Sequence, residues 1–283
     1  MKKIITMAYL SAMVLGSTMA FSSCSNDAND NDNNNTPNTA VNPKTVFTGG
    51  LPKSAVGMTI RTNEKGQVAT LQRSYEKATF EYIEPTTYAT NLPNVIMTVE
   101  NSEEKTVSTC LLFLNKNGFV THSDVTTFYK SNSDDKRSHE TWDFTYNNDG
   151  QLLTMSTLFD NDDDDVGRKT NIIYNNGDIF AISREHKNGR EKETCRAYYT
   201  SPSVSSPIPN KGCIMVYGSI IMDITVDVME YAYYAGLLGK ANKNLPVRVV
   251  DYDNDTNDIT WTLNSAGYPI SLNDGHGTYS FEW

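Results

Sequence analysis

A strand–turn–strand pattern recurs five times in the chain, and its clearest copy spans residues 142–158. Apolar residues alternate with polar ones at Trp142, Phe144 and Tyr146, and the alternation resumes after the turn 147–150, which reads Asn-Asn-Asp-Gly. Period-two alternation places one face of each strand against a core, and Asn, Asp and Gly supply the positive-φ positions of a tight turn. The pattern therefore predicts a β-hairpin.

Four further copies share this arrangement, with turn segments at residues 62–66, 115–118, 175–177 and 264–267. The spacing between the copies is irregular, which argues against a strict propeller or solenoid repeat. The sequence thus predicts an all-β fold, in which an antiparallel meander of hairpins curls into an open or closed barrel-like sheet.

The chain begins with an export signal. Lys2 and Lys3 precede an apolar stretch over residues 4–20 that is too short for a stable membrane anchor, which predicts a signal peptide over residues 1–23. The small residues before Cys24 resemble the lipobox of bacterial lipoproteins, in which this cysteine is lipidated after cleavage. The alternative is an ordinary signal peptide that is cleaved nearby. A lipid on Cys24 would anchor the protein to a membrane.

Residues 24–42 are rich in Asn and Asp and nearly free of large apolar side chains, which predicts a flexible tether. Asp27, Asp30 and Asp32 resemble the acidic export signal of surface-exposed Bacteroidetes lipoproteins, and a solubilising linker is the alternative. We therefore expect a lipid-anchored protein of the outer membrane that faces the cell exterior. Residues 43–283 are predicted to form a single β-rich domain, with a long hairpin loop over 201–211 and a strand over 213–224.

The net charge of the mature chain argues against one class of partner. Removing Lys2 and Lys3 with the leader leaves 22 basic and 34 acidic residues, a net charge of −12, which argues against nucleic acid as a partner.

Besides Cys24 there are three cysteines, Cys110, Cys195 and Cys213. Cys195 and Cys213 flank the proline-rich loop and could pair, but buried free thiols are the favoured interpretation.

The period changes once, near the C-terminal third. Val228, Tyr231, Ala235 and Leu238 recur at three- and four-residue steps, which predicts a short amphipathic helix over residues 227–239. Tyr233 lies off this apolar stripe and combines an apolar ring with a polar tip. We therefore predict it as an exposed ligand-binding contact.

Several segments from the helix onward resemble a known family. The segments 234–240 (YAGLLGK), 242–246 (NKNLP) and 261–264 (WTLN), followed by Gly267-Tyr268-Pro269, resemble the C-terminal signature of a Bacteroidetes lipoprotein family of unknown function with a porin-like fold. This resemblance implies a curved antiparallel sheet that closes toward a barrel, with the helix covering part of it, and it implies no activity.

The last residues also resemble the final strand of an outer-membrane barrel, because Tyr279, Phe281 and Trp283 alternate with polar residues. The upstream strands lack the lipid-facing bands and aromatic girdles of such barrels. We therefore expect the terminal aromatic side chains to pack inward.

Two acidic runs, over residues 160–165 and 251–258, offer oxygen ligands of the kind that calcium prefers. The second run departs from an EF-hand loop at its sixth and twelfth positions, Thr256 and Thr262. Charge runs at turns are more often solvated loops, so we expect no metal and no cofactor. The four histidines are scattered and no nucleophile motif occurs, so no catalytic residue is predicted.

These observations favour a cell-envelope lipoprotein with a non-enzymatic binding role, whose ligand is a glycan, a peptide or a partner protein. Two alternatives stay open. An extracellular glycan hydrolase would place two carboxyl groups with shifted pKa values in one cleft. An accessory subunit of an outer-membrane uptake complex would expose a flat apolar patch.

Overall fold

The computed structural model describes residues 41–84, 92–130, 136–159, 168–185, 191–222, 224, 226–251 and 253–283. The chain divides into a unit Met1–Thr36 and a compact unit Pro37–Trp283, and the described residues all belong to the second. The predicted signal peptide, the lipidation site Cys24, nearly all of the tether and the acidic run 160–165 lie outside the described residues.

The described part of the chain forms nineteen strands, one 3-10 helix and one α-helix. The 3-10 helix is Pro43–Thr45 and the α-helix, α1, is Met229–Tyr234. The strands are β1 (Ser54–Ala55), β2 (Met58–Thr62), β3 (Val68–Gln72), β4 (Glu76–Tyr82), β5 (Val95–Asn101), β6 (Thr106–Leu114), β7 (Val120–Tyr129), β8 (Lys136–Tyr146), β9 (Leu152–Phe159), β10 (Arg168–Asn175), β11 (Asp178–Glu185), β12 (Glu191–Tyr198), β13 (Ile208–Pro209), β14 (Asn244–Leu245), β15 (Arg248–Asp251), β16 (Thr256–Asp258), β17 (Thr260–Leu263), β18 (Pro269–Asn273) and β19 (Thr278–Glu282).

Seventeen strands belong to one antiparallel sheet that curls into a nearly closed barrel. Each of β1 to β11 pairs with the next strand along the chain, and β12 continues the sheet by pairing with β15. The first strand, β1, pairs with both β2 and the last strand, β19. A bend at Ile259 separates β16, which pairs with β15, from β17, which pairs with β18. The predicted fold class is confirmed.

All five predicted hairpins are present, and their turns lie at one end of the barrel because neighbouring strands are antiparallel. We call this end the Asn-turn end; the turns join β2 to β3, β6 to β7, β8 to β9, β10 to β11 and β17 to β18. In four of them an asparagine Oδ1 accepts hydrogen bonds from the backbone N–H groups two and four residues later; these are Asn63, Asn115, Asn147 and Asn264. This local bonding explains why the turns could be predicted.

The inner face of the wall is apolar and the outer face is polar. On β5, Val95, Met97 and Val99 are buried, whereas Glu100 on the other face is exposed. The same alternation on β8 buries Trp142 and Phe144 and exposes Asp143. The core of the molecule therefore lies inside the barrel. No helix within the described residues is long and apolar enough to cross a membrane.

Most of the described residues between 213 and 247 are buried in this interior, and we call this segment the plug. Ile214 and Met215 lie beside the wall residues Leu272 and Phe281. Other plug residues contact other parts of the wall. Leu237 O accepts a hydrogen bond from Val120 N on β7, and Met222 O accepts one from Cys195 Sγ on β12. Glu230 forms an ion pair with Arg73, which follows β3. The plug thus contacts wall strands all around the barrel.

The strand predicted over residues 213–224 is wrong, since none of the described residues in that range belongs to a strand and only an isolated bridge joins Gly218 to Ile224. Ile214, Val216 and Met222 are buried all the same. A segment enclosed on all sides needs continuous hydrophobicity, which also characterises a buried strand, so composition could not distinguish the two.

The predicted helix exists but is shorter than residues 227–239. It ends at Tyr234, and Gly236 and Gly239, both with φ of +79°, turn the chain back toward the Asn-turn end. The predicted inward packing of the terminal aromatic residues is confirmed for Phe281, which is 3% exposed, and Tyr279 and Trp283 pack against the core half-buried.

Candidate functional site

Two depressions open at the end of the barrel opposite the Asn-turn end, one on each side of the plug turn 218–222. The first, which we call the Arg184 cleft, has a volume of about 410 Å³ and includes Ile221 in its wall. The second, the Tyr75 groove, has a volume of about 420 Å³ and includes Val56. Between them a small hollow contains both Val56 and Ile221. The plug therefore forms part of the wall of this open end.

The Arg184 cleft has an apolar floor and a polar rim. Ile221 and Met222 of the plug and Val249 of β15 are buried and form the floor together with Cys195. The rim residues come from β11, from β15, β16 and the turn between them, and from the turn between β18 and β19; they are Arg184, Asp251, Asp255, Thr256, Asn257 and His276.

The turn between β15 and β16 holds its own carboxylates in place. Asp251 Oδ1 accepts hydrogen bonds from the backbone N–H groups of Asp253 and Asp255, each at 2.9 Å. Asp258 faces outward and pairs with Arg248, whose Nε lies 2.6 Å from Asp258 Oδ1. The acidic run thus forms a turn, as its composition predicts. Among the described residues, no group of three or more His, Cys, Asp or Glu side chains is arranged to hold a metal ion.

Three side chains of the Arg184 cleft have unused hydrogen-bonding groups. Arg184 is half-buried, and its Nε is buried without a hydrogen-bond partner. Within the described part of the chain, the side chains of Asn257 and His276 also form no hydrogen bond or ion pair. Buried polar groups in native proteins nearly always have partners, so the buried Nε of Arg184, unpaired beside a cavity, calls for a physical explanation.

The polar groups of the Tyr75 groove, in contrast, bind each other. Arg73 donates two hydrogen bonds to Glu230, at 2.9 and 2.8 Å. Glu76 accepts one from the Tyr231 hydroxyl at 2.6 Å and one from Asn101 Nδ2 at 3.2 Å. Burial raises the pKa of Glu230, and Arg73 offsets part of that increase. This network stabilises the fold without a ligand.

Tyr75 itself is the most exposed large apolar residue described, at 58%. Its backbone carbonyl accepts hydrogen bonds from the N–H and the hydroxyl of Ser102, at 2.8 and 3.0 Å, which fix the turn that carries it. The ring therefore stands on a well-held turn at the rim of the groove.

The prediction that Tyr233 is an exposed contact is wrong. Its side chain is 0% exposed, and its hydroxyl donates a hydrogen bond to Cys213 O at 2.9 Å. Phe47 and Tyr217 pack edge-on against its ring. Because α1 lies inside the barrel, both of its faces are buried, and the side opposite the apolar stripe is not a solvent face. Within the described part of the chain, Cys110, Cys195 and Cys213 are buried thiols that form no disulfide, as favoured from the sequence.

The sequence did not single out Arg184, Asn257 or His276. These residues lie on β11, on β16 and in the turn after β18, and the pairing of β12 with β15, which are distant in the chain, brings the first two near one another. The acidic run that includes Asp251 was the single local signal for this region, and it pointed to a turn.

The fold and the cleft define a class of protein: an antiparallel barrel whose interior holds a buried segment of its own chain and whose end opposite the Asn-turn end carries a polar cleft. Residues 57–271 match the model of the family described as "Domain of unknown function (DUF4595) with porin-like fold", and the chain belongs to that family.

Solved structures share the fold. A porin-like protein from Bacteroides uniformis is 20% identical, with a TM-score of 0.52 over 79% of this chain and 86% of its own. A porin-like protein from Bacteroides vulgatus is 11% identical, with a TM-score of 0.51 over 80% of this chain and 92% of its own. A search of curated proteins gave no match.

Proposed function

We propose that this protein is a cell-envelope lipoprotein that binds a small polar ligand in the Arg184 cleft without transforming it. One observation supports this proposal. A cavity of about 410 Å³ with an apolar floor is lined by hydrogen-bonding groups that the described residues leave unused, on Arg184, Asn257 and His276. Ligand sites in proteins are typically concave, with an apolar lining and a few convergent polar groups.

The filled interior supports binding over conduction. Porin channels have polar, water-filled interiors and apolar outer bands. Here the side chains that face inward, such as Met97 and Phe144, are buried against the plug, and outward positions carry charges such as Glu100 and Asp143. This distribution suits a barrel surrounded by water that is attached to a membrane by other means.

Lipid on Cys24 would supply that attachment. The porin-like fold of the family and of the Bacteroides proteins supports an envelope location. Residues 43–50 pack at the Asn-turn end, where the Tyr268 hydroxyl donates a hydrogen bond to Gly49 O at 2.8 Å. The anchored tether would therefore join the barrel at the end opposite the cleft, and the acidic residues Asp27, Asp30 and Asp32 favour exposure at the cell exterior.

A glycan hydrolase is the second candidate, and Glu76 and Glu230 are the observation that favours it. Both carboxyl groups lie near the Tyr75 groove, and burial raises the pKa of Glu230. However, Arg73 binds both oxygens of Glu230, and Tyr231 and Asn101 bind those of Glu76. A catalytic pair would need at least one of these oxygens free to meet a substrate.

An exposed apolar patch favours the third candidate, an accessory subunit. Ile173, Phe180 and Tyr198 are 48%, 46% and 43% exposed on the neighbouring strands β10, β11 and β12. Arg196 lies over the Phe180 ring at 5.6 Å, within this patch. An aromatic and arginine surface of this kind is typical of protein interfaces.

Thermal-shift measurements on residues 25–283, which contain the whole compact unit, test the proposed function. The panel contains neutral sugars, sugar acids, amino acids, short peptides and calcium. A ligand at a hundred times its Kd stabilises the folded state by about 2.7 kcal/mol. For a chain of this size we therefore expect a rise in Tm of roughly 5–10 °C.

Asn257→Ala should reduce the shift, and the matched change Asn117→Ala, in an exposed turn at the Asn-turn end, should preserve it. If no compound stabilises the protein, or if both variants respond as the wild type does, the binding site is not the Arg184 cleft. Turnover of a glycan that depends on Glu230 would favour the hydrolase instead.

A further inference from the structure

Arg184 carries a positive charge that the protein does not neutralise by any hydrogen bond or ion pair within the described residues. Elsewhere at the same end, the half-buried Arg73 binds a carboxylate with two hydrogen bonds. A partly buried charge without a partner is unfavourable, because the desolvation of the charge is not compensated. A bound anionic group would compensate it.

The guanidinium geometry favours a carboxylate as that group. Its planar fork of N–H donors matches the two oxygens of a carboxylate, and such charge-assisted hydrogen bonds are about twice as strong as neutral ones. His276, at the exposed rim of the same cleft, can add a further donor.

Two aspartates that line the same cleft, Asp251 and Asp255, favour hydrogen-bond donors on the ligand. The Oδ1 atom of Asp251 is occupied by two backbone N–H groups, and Asp255 is exposed at the rim. Carboxylates accept hydrogen bonds and do not donate them when ionised. A compact inorganic anion such as phosphate or sulfate would be repelled by these two aspartates, because it has no separate uncharged or cationic part to turn toward them.

Together these groups define the ligand chemistry. We infer that the Arg184 cleft binds a small molecule in which a carboxylate, held by Arg184, is accompanied by hydroxyl or ammonium donors that face Asp251 and Asp255. This inference rests on the proposed function and narrows it to two sources of the same chemistry, sugar acids and free amino acids. The apolar floor of Ile221, Met222 and Val249 would contact the carbon skeleton of either.

Calorimetric titration of residues 25–283 with glucuronate, glucose, alanine and inorganic phosphate tests the inference. Glucuronate and glucose form a matched pair, because they differ in a carboxylate that replaces a hydroxymethyl group. We expect binding of glucuronate or alanine, and binding of glucose and phosphate at least tenfold weaker or undetectable. Which of the two carboxylates binds identifies the source.

Variants test the role of Arg184 directly. Arg184→Met should weaken binding of the carboxylate about 10- to 100-fold, in the range of a lost charge-assisted hydrogen bond. Arg61→Met, on the exposed outer face of β2, should leave binding unchanged. Without ligand, Arg184→Met should have a Tm equal to or higher than that of the wild type, since it removes an unpaired charge; this result separates lost binding from lost folding.

Three results would overturn the inference while the proposed function stands. They are equal affinity for glucose and glucuronate, tight binding of phosphate, and full affinity for the carboxylate in Arg184→Met. Lack of binding by both glucuronate and alanine would also overturn it. Lack of binding by every compound of the wider thermal-shift panel would overturn the proposed function as well.

Discussion

Tyr233 and Tyr217 are both buried in the plug, and their hydroxyl groups differ in one respect. The Tyr233 hydroxyl donates a hydrogen bond to Cys213 O, whereas the Tyr217 hydroxyl is buried and has no partner among the residues that the structure describes. Their rings pack edge-on at 5.7 Å, so the two residues share one environment. They form a natural pair for measuring the contribution of one buried hydrogen bond.

Tyr233→Phe should lower the free energy of unfolding by about 1 kcal/mol, because it leaves the Cys213 carbonyl without its donor. Tyr217→Phe should leave this free energy unchanged or raise it, because the lost hydroxyl had no partner. Urea unfolding followed by fluorescence measures both. Equal destabilisation by the two changes would contradict this account of the plug.

On the outer wall, His122 lies between two carboxylates, with Nδ1 2.8 Å from Asp143 Oδ1 and Nε2 3.3 Å from Asp124 Oδ1. Partial burial lowers the pKa of His122, but the two carboxylates raise it further, so the net change is upward from the usual 6.5. The stabilisation is therefore fully present below the pKa of the unfolded state, near 6.5, and is lost as the pH rises through the higher folded-state pKa.

An NMR titration of the His122 ring should give a pKa above 6.5, and Asp143→Asn should lower it. A His122 pKa that is the same in the wild type and in Asp143→Asn would show that this ion pair does not form in solution.

At the scale of the elements, the returning limb of the plug is bound to the Asn-turn end by backbone hydrogen bonds. Lys240 N donates to Gly150 O at 2.8 Å, and Lys243 N donates to Gly177 O at 3.0 Å. Gly239 makes the approach possible, since a Cβ there would lie 2.7 Å from Gly150 O. The predicted turns thus serve as docking points for a segment whose location the sequence did not reveal.

Gly239→Ala should destabilise the protein more than Gly118→Ala. Both glycines have φ near +80°, but a Cβ on Gly118 would meet nothing within 4 Å. The backbone conformation alone costs about 1 kcal/mol, and overpacking at Gly239 should add roughly 1–3 kcal/mol. Chemical denaturation of both variants measures the difference, and equal losses would argue that the plug does not contact the turn.

The ion pair between Arg73 and Glu230 joins α1 to the wall at the open end. Glu230→Gln should lower the free energy of unfolding by about 1–3 kcal/mol, because it leaves a partly buried guanidinium without its carboxylate. Glu84→Gln, in the exposed pair with Lys65, should have no measurable effect. Thermal unfolding compares the two, and a neutral Glu230→Gln would remove this pair from the account of how the plug is held.

For the whole molecule, the sequence predicted what is encoded locally. Three features were found where expected because they depend on neighbouring residues. They are the turns of the Asn-turn end, the alternation of Trp142 and Phe144, and the position of α1. The plug and the cleft depend on contacts between distant segments. Residues 213–224 have the composition of a buried strand, and Arg184 and Asn257 line one cleft because β12 pairs with the distant strand β15, so neither feature could be read from local pattern.

The location of the protein is also a property of the whole chain. If lipid on Cys24 is the membrane attachment, Cys24→Ser should move the protein from the membrane fraction to the soluble fraction after expression in a bacterium with the lipoprotein pathway. Cys110→Ser, which alters a buried thiol of the barrel, should remain in the membrane fraction. Membrane retention of Cys24→Ser would point to a second attachment.

The most direct test of the plugged barrel with one open cleft is hydrogen–deuterium exchange on residues 25–283, with and without the carboxylate that binds. We predict that amides of the plug, residues 213–247, exchange as slowly as those of β5 to β7, although most of the plug has no regular secondary structure. Ligand should slow exchange further only around Arg184, Met222, residues 249–257 and residues 274–277. Rapid exchange throughout the plug, at the rate of an exposed loop, would contradict the account.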